Sequence, residues 1–137
     1  MGTTSIEYRM LPGTRAAIGR SGVHIVVADR PQGKFGGMGL GLNGGELLAL
    51  SIGGCFCNDM QAIADQRGVT IADLQVGVEV DFDGDPVRAT HARLTVDCTL
   101  ADGSDPSQLI ELAKADTTIG NSLREGFPVS IGGKSGA

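Results

Sequence analysis

The three cysteines, the two histidines and, among the serines, Ser51 and Ser122 are the first side chains to ask about chemistry, and one of them, Cys55, has an unusual setting. It lies in Gly53-Gly54-Cys55-Phe56-Cys57, where the glycines clear space for a substrate or a second chain to come close to a nucleophilic thiol. The same residue equally fits an inert core position, since unpaired cysteine is among the most buried residue types. A free thiol is only a few per cent ionised at neutral pH, so a reactive one needs activation. Cys55 falls inside a predicted helix rather than at its start, so the helix N-terminus cannot supply that activation. A cation is required, and arginine, which keeps its proton, is the best one. Cys57 is two residues on and points away from Cys55 in an intact helix, so a bond between them requires unwinding. Cys57 is therefore read as packing or as a possible accessory thiol, and Cys98, on the apolar side of a strand, as core. His24 and His91 stand alone, without metal-ligand spacing, and Ser51 and Ser122 have no base near them in sequence. Gly39-Leu40-Gly41-Leu42-Asn43-Gly44 is formally a dinucleotide-type glycine run. Its preceding strand ends too early and no βαβ unit follows.

The elements that must position Cys55 follow from periodicity. Ile6–Met10 and residues 16–18 read as short strands about a Pro12-Gly13 turn, and residues 23–27 as a stronger β-branched strand. Residues 33–45 are glycine-dense loop. A helix is predicted over 46–67, opened by an Asn43-x-x-Glu46 capping box and stopped by Gly68. Its apolar residues face almost every side, which predicts central burial. Gly53-Gly54 inside it costs about 1 kcal/mol each relative to alanine, most simply offset by close approach of another backbone. Alternation then predicts two long strands over 71–100 with a turn at Asp83-Gly84-Asp85-Pro86. Asp105-Pro106 opens a second helix, Asp116 or Thr117 caps a third ending near Gly126, and Phe127–Ile131 is expected as a closing strand. This order predicts an α+β domain with antiparallel pairing, one domain over 1–137.

The whole-chain properties exclude several classes. With 137 residues, a single core is expected. A net charge of −5 and one tyrosine without tryptophan argue against nucleic-acid partners. No uninterrupted apolar run reaches the roughly 20 residues of a membrane span. The start of the chain has neither the basic nor the apolar part of a signal peptide, and the odd cysteine count fits reduced thiols. A cytoplasmic location is expected, without membrane, metal or cofactor.

The run from Asn43 through Glu46 and Ser51 to Cys55-Phe56 resembles the central-helix motif of the OsmC/Ohr family (osmotically inducible protein C and organic hydroperoxide resistance proteins), and the element order follows that family over nearly the whole chain. The resemblance implies antiparallel sheets around a long buried central helix in an intertwined homodimer. It further implies a stress-response peroxidase that reduces organic hydroperoxides with a thiol or dithiol reductant. Cys55 then matches the peroxide-reactive cysteine. Thr117 stands where the resolving cysteine is usual. The family's catalytic glutamate falls on Gly45, with Glu46 one position late, and its activating arginine is best matched by Arg15, with Arg20 a second possibility. The expected catalytic set is Cys55, Arg15 and Glu46, with Cys57 as accessory thiol. The alternative is a non-catalytic dimer of this fold that binds a small apolar ligand or partner.

Overall fold

A computed structural model describes residues 2–133. The chain divides into two compact units, Met1–Ala49 and Leu50–Ala137.

The N-terminal unit is a three-stranded antiparallel sheet in sequential order, formed by β1 (Glu7–Met10), β2 (Ala17–Ser21) and β3 (His24–Ala28). The Pro12-Gly13 turn closes the first hairpin, with Gly13 at positive φ and the Leu11 N–H donating to the Ala16 carbonyl at 2.9 Å. After β3 the glycine-dense segment leaves the sheet and returns to it. The Asp29 N–H donates to the Leu42 carbonyl at 3.0 Å and the Leu42 N–H to the Val27 carbonyl at 2.9 Å, so residues 30–41 form a closed loop. Asp29 organises that loop. Only 8% exposed, its carboxylate accepts the N–H groups of Arg30 (2.8 Å), Met38 (3.1 Å) and Leu40 (3.0 Å). The Leu40 bond, opposed by burial and aided by those from Arg30 and Met38, holds the carboxyl below its ordinary range. Side chains at Gly37 and Gly41 would collide with the carbonyls of Arg30 and Val27, which is why both positions lack one. The formal dinucleotide run is thus a structural loop whose amides are spent within the chain, that of Leu40 on the Asp29 carboxylate, those of Gly39 and Leu42 on the Arg30 and Val27 carbonyls, and that of Asn43 on Glu46.

Helix α1 spans Gly44–Gln66. The capping box is complete: the Glu46 N–H donates to Asn43 Oδ1 at 2.8 Å, and the Asn43 N–H to Glu46 Oε1 at 3.1 Å. At the other end Gly68 takes φ 67°, with its N–H on the Asp65 carbonyl and that of Val69 on Ala64. This is the paired bonding of a Schellman stop.

The C-terminal unit continues α1 and adds β4 (Ile71–Asp83), β5 (Arg88–Leu100), α2 (Ser107–Asp116) and α3 (Thr118–Glu125). The two strands pair antiparallel with Leu74 opposite Cys98, Val76 opposite Val96 and Val78 opposite Leu94. This keeps their apolar residues on one face, as the alternation predicts. On the solvent face Arg93 forks onto Asp81 at 2.7 and 3.1 Å. That hydrogen bonding keeps the Asp81 carboxyl below its usual range. The core consists of Phe56, Met60, Ile63 and Ala64 from α1, Leu100 from β5, and Leu109 and Ala113 from α2. Asp105 opens α2 by accepting the Ser107 N–H at 3.0 Å and hydroxyl at 2.6 Å.

Three expectations are corrected. Phe127–Ile131 is not a strand. Its side chains are exposed, Ile131 to 86%. A strand needs a neighbour for its N–H and C=O groups, and among the described residues none pairs with it. Helix α1 is not buried on all sides: its buried stripe runs through Ile52, Phe56, Met60 and Ile63, while Leu50 is 58% exposed. By length and composition this helix could cross a membrane, although its buried stripe packs into a protein core. The two glycines also differ. A Cβ at Gly53 would lie 2.8 Å from Val78 Cγ2, so a strand side chain rather than a backbone approaches there, whereas Gly54 faces open space.

Candidate functional site

Cys55 sits midway along α1, partly buried and unpaired. The α2–α3 junction carries Thr117 to it. The backbone breaks from helix there, with φ −57° and ψ 108°, and Thr117 is only 7% exposed. Its hydroxyl donates to Cys55 Sγ at 3.8 Å. Gly120, one turn into α3, permits this position, because a Cβ there would lie 2.8 Å from Thr117 Cγ2. On α1 itself Asp59 is one turn beyond Cys55, and its Oδ2 accepts from the thiol at 3.7 Å. The sulfur therefore has a hydroxyl donor and a carboxylate acceptor as polar neighbours. Such a row can hold a proton, or a hydroxyl added to the sulfur, in a fixed direction.

The segment at Thr117 thus lies against the sulfur, with a hydroxyl where the resemblance would place a thiol. Cys57 is also partly buried, and at about 100° per residue it leaves α1 on a different side from Cys55. Cys98 packs against the core, and burial, with Asp97 and Asp73 adding to it, pushes its thiol up. Glu46 is nine positions before Cys55 on the same helix, which turns it by about half a revolution to the opposite face. Its carboxylate is engaged in the cap. Arg15 lies in the β1–β2 turn with its guanidinium over Gly36, where a Cβ would be 2.5 Å from Nη1. Arg20 is on β2 opposite Glu7 and Ile25. Among the described residues neither arginine forms an ion pair. Both arginines and Glu46 belong to the N-terminal unit, and Cys55, Thr117 and Asp59 to the other. No group of three or more histidine, cysteine or carboxylate side chains gathers among the described residues in a way that could hold a metal.

Asp59 is the residue that motif reading passes over. The signal was present: a carboxylate four positions after a cysteine in a helix shares its face.

No curated protein matches the chain in sequence. Solved structures match it in fold. An OsmC-like protein of unknown function from Vibrio cholerae superposes with TM-score 0.76 at 13% identity, covering 89% of this chain and 94% of that one. An OsmC-like protein from Mycoplasma pneumoniae gives 0.74 at 15%, covering 90% and 88%. An organic hydroperoxide resistance protein from Elizabethkingia anophelis gives 0.67 at 19%, covering 90% and 89%. The OsmC-like protein family profile matches residues 36–132, a stretch that contains α1, the long hairpin, α2, α3 and the Cys55 cluster, and the chain belongs to the OsmC-like family.

Proposed function

We propose that the protein is a cysteine-dependent reductase of organic hydroperoxides, with Cys55 as the peroxide-reactive thiol. The observation that carries this reading is the partly buried Cys55 sulfur with the Thr117 hydroxyl directed onto it at 3.8 Å. Similarity in fold to an organic hydroperoxide resistance protein supports the substrate class. The sulfur attacks the distal peroxide oxygen, the O–O bond breaks, an alcohol leaves, and a sulfenic acid remains on Cys55. Arg15 or Arg20 supplies the cation that stabilises the thiolate and polarises the peroxide. The chain works as one domain in the cytoplasm, paired with a second copy of itself. Exposed apolar residues such as Leu50 and Ile131 support the pairing, and the likeness in fold to single OsmC-like chains over 89–90% of this chain supports the single domain. With threonine at position 117, the reductant is an external thiol or dithiol, unless local unwinding of α1 brings Cys57 into play.

The test is consumption of cumene hydroperoxide in the presence of a thiol, by the natural chain and by Cys55→Ser. Loss of turnover in the variant is expected. Turnover no faster than free cysteine in the natural chain sinks the reading. Two observations favour a second reading, a non-catalytic dimer binding a small apolar ligand or partner: Glu46 is engaged in the helix cap, and a hydroxyl, that of Thr117, stands where the resemblance would place the resolving thiol. In that case Cys55→Ser retains binding, and no turnover exists to lose.

A further inference from the structure

We infer that Asp59 is a further catalytic residue, which holds the hydroxyl of a Cys55 sulfenic acid and directs it toward a small external monothiol rather than toward a second peroxide. This rests on the peroxide chemistry proposed for Cys55.

The geometry carries the argument. Asp59 Oδ2 lies 3.7 Å from Cys55 Sγ, and the Thr117 hydroxyl takes a lone pair of the same sulfur at 3.8 Å. A charge-assisted O–H···O bond spans about 2.6 Å, and with a bent angle at the sulfenic oxygen this leaves sulfur and carboxylate oxygen roughly 3.5 Å apart. An oxygen added to Sγ therefore fits the existing gap without moving the helix. Thr117 donates to the sulfur and Asp59 accepts from the new hydroxyl, so every polar group in the row has a partner.

The consequence is chemical. Further oxidation to a sulfinic acid proceeds through the sulfenate anion, and a carboxylate that accepts the hydroxyl proton disfavours that anion. The productive step is different. An incoming thiol, R–SH, first loses its proton through water to Asp59, and its thiolate then attacks Sγ in line with the S–O bond. The S–O bond breaks, and Asp59 returns the proton to the departing hydroxyl, which leaves as water. A mixed disulfide, Cys55–S–S–R, remains. A second R–SH attacks it, restores the Cys55 thiol and releases R–S–S–R. The balance is one hydroperoxide and two thiols to one alcohol, one water and one disulfide. No thiol at position 117 is needed.

The test uses the full natural chain, Asp59→Asn and Asp59→Glu. Each is oxidised with one equivalent of cumene hydroperoxide, and separately with hydrogen peroxide so that sulfenic acid forms whatever the substrate preference; a parallel sample receives a second equivalent, because a sulfinic acid needs two. Cysteine is then added, and intact mass reports sulfenic acid, sulfinic acid and mixed disulfide. Asp59→Asn, which keeps the shape and loses the base, is expected to form the mixed disulfide about tenfold more slowly and to yield more sulfinic acid, with partial rescue by Asp59→Glu. Asp59→Asn rates within about twofold of the natural chain for both steps overturn the role of Asp59. Absence of any preference for cumene hydroperoxide, with the Asp59 effect intact under hydrogen peroxide, overturns the organic substrate and leaves this inference standing. Failure of Cys55 to form a sulfenic acid with either oxidant overturns both.

Discussion

The two units reach order by different means. In the C-terminal unit seven apolar side chains from two helices and a strand exclude water together. Among its described residues the N-terminal unit buries one apolar side chain, Ala16, and leaves Val23 90% exposed and Met10, Ile25 and Phe35 largely so. Its order comes from backbone: two strand ladders, a loop tied to Asp29, and glycines where main chains touch. A net hydrogen bond contributes about 1 kcal/mol, while a buried large side chain contributes about 1.5–3 kcal/mol. Backbone pairing gives the N-terminal unit a definite shape and little cohesion from excluded water. The proposed second copy is what its exposed apolar faces would need.

The contrast can be broken at either end, and the largest effect belongs to the core. Met60 is completely buried at the centre of the apolar cluster. Met60→Ala is expected to lower stability by about 2–5 kcal/mol, through lost transfer energy and the cavity left behind. Denaturant midpoints at constant slope measure it. A loss below about 1 kcal/mol would mean the cluster collapses to fill the hole and is not a fixed core. Next comes Gly41→Ala. Its Cβ would run into the Val27 carbonyl, and backbone cannot give way as a flexible side chain can. The expected cost is about 1–3 kcal/mol, concentrated at the Leu42 and Asp29 amides that close the loop. Amide exchange resolves where it falls. Equal loosening of β4 and β5 would show that the two units do not hold separately.

The same contrast explains what could be read from the sequence. Features set by neighbours along the chain were legible. The Asn43–Glu46 box forms both of its bonds, Gly68 stops α1, and the alternation in β4 and β5 gives the observed register. Features set by distant partners were not. Phe127–Ile131 has the composition of a strand, but pairing depends on a neighbour that composition does not reveal. Asp29 stands in sequence just beyond the strand predicted over residues 23–27. Its role is to gather amides from residues ahead of it in the chain, and nothing local announces that. At the site, Cys55 was legible from its glycines and Thr117 through the family pattern. Asp59 was not, although its spacing from Cys55 was available. Helical spacing says which side chains share a face; it does not say which pair matters until Thr117 is found against the same sulfur.

The smallest effect tests the backbone half of the contrast directly. The folded carboxyl of Asp29 is held below its ordinary value, first by the Leu40 N–H. Its contribution to stability is therefore fully present above the unfolded value of about 3.9, and is lost as pH falls through the lower folded value. The amides of Met38 and Leu40 should consequently lose protection only at strongly acid pH. Asp81, Asp102 and Asp105 are also held low, by Arg93, Ser104 and Ser107 in turn, so acid sensitivity of the whole chain cannot isolate the loop. Asp29→Asn does. An amide offers one acceptor oxygen in place of two and turns an N–H group toward donors. The variant should lose loop protection near neutral pH and show no further acid dependence at Met38 and Leu40, while amides of β5 keep theirs. Protection at Met38 and Leu40 that survives Asp29→Asn would mean the glycine contacts alone hold the loop. The carboxylate would then be a consequence of the loop's shape and not its cause.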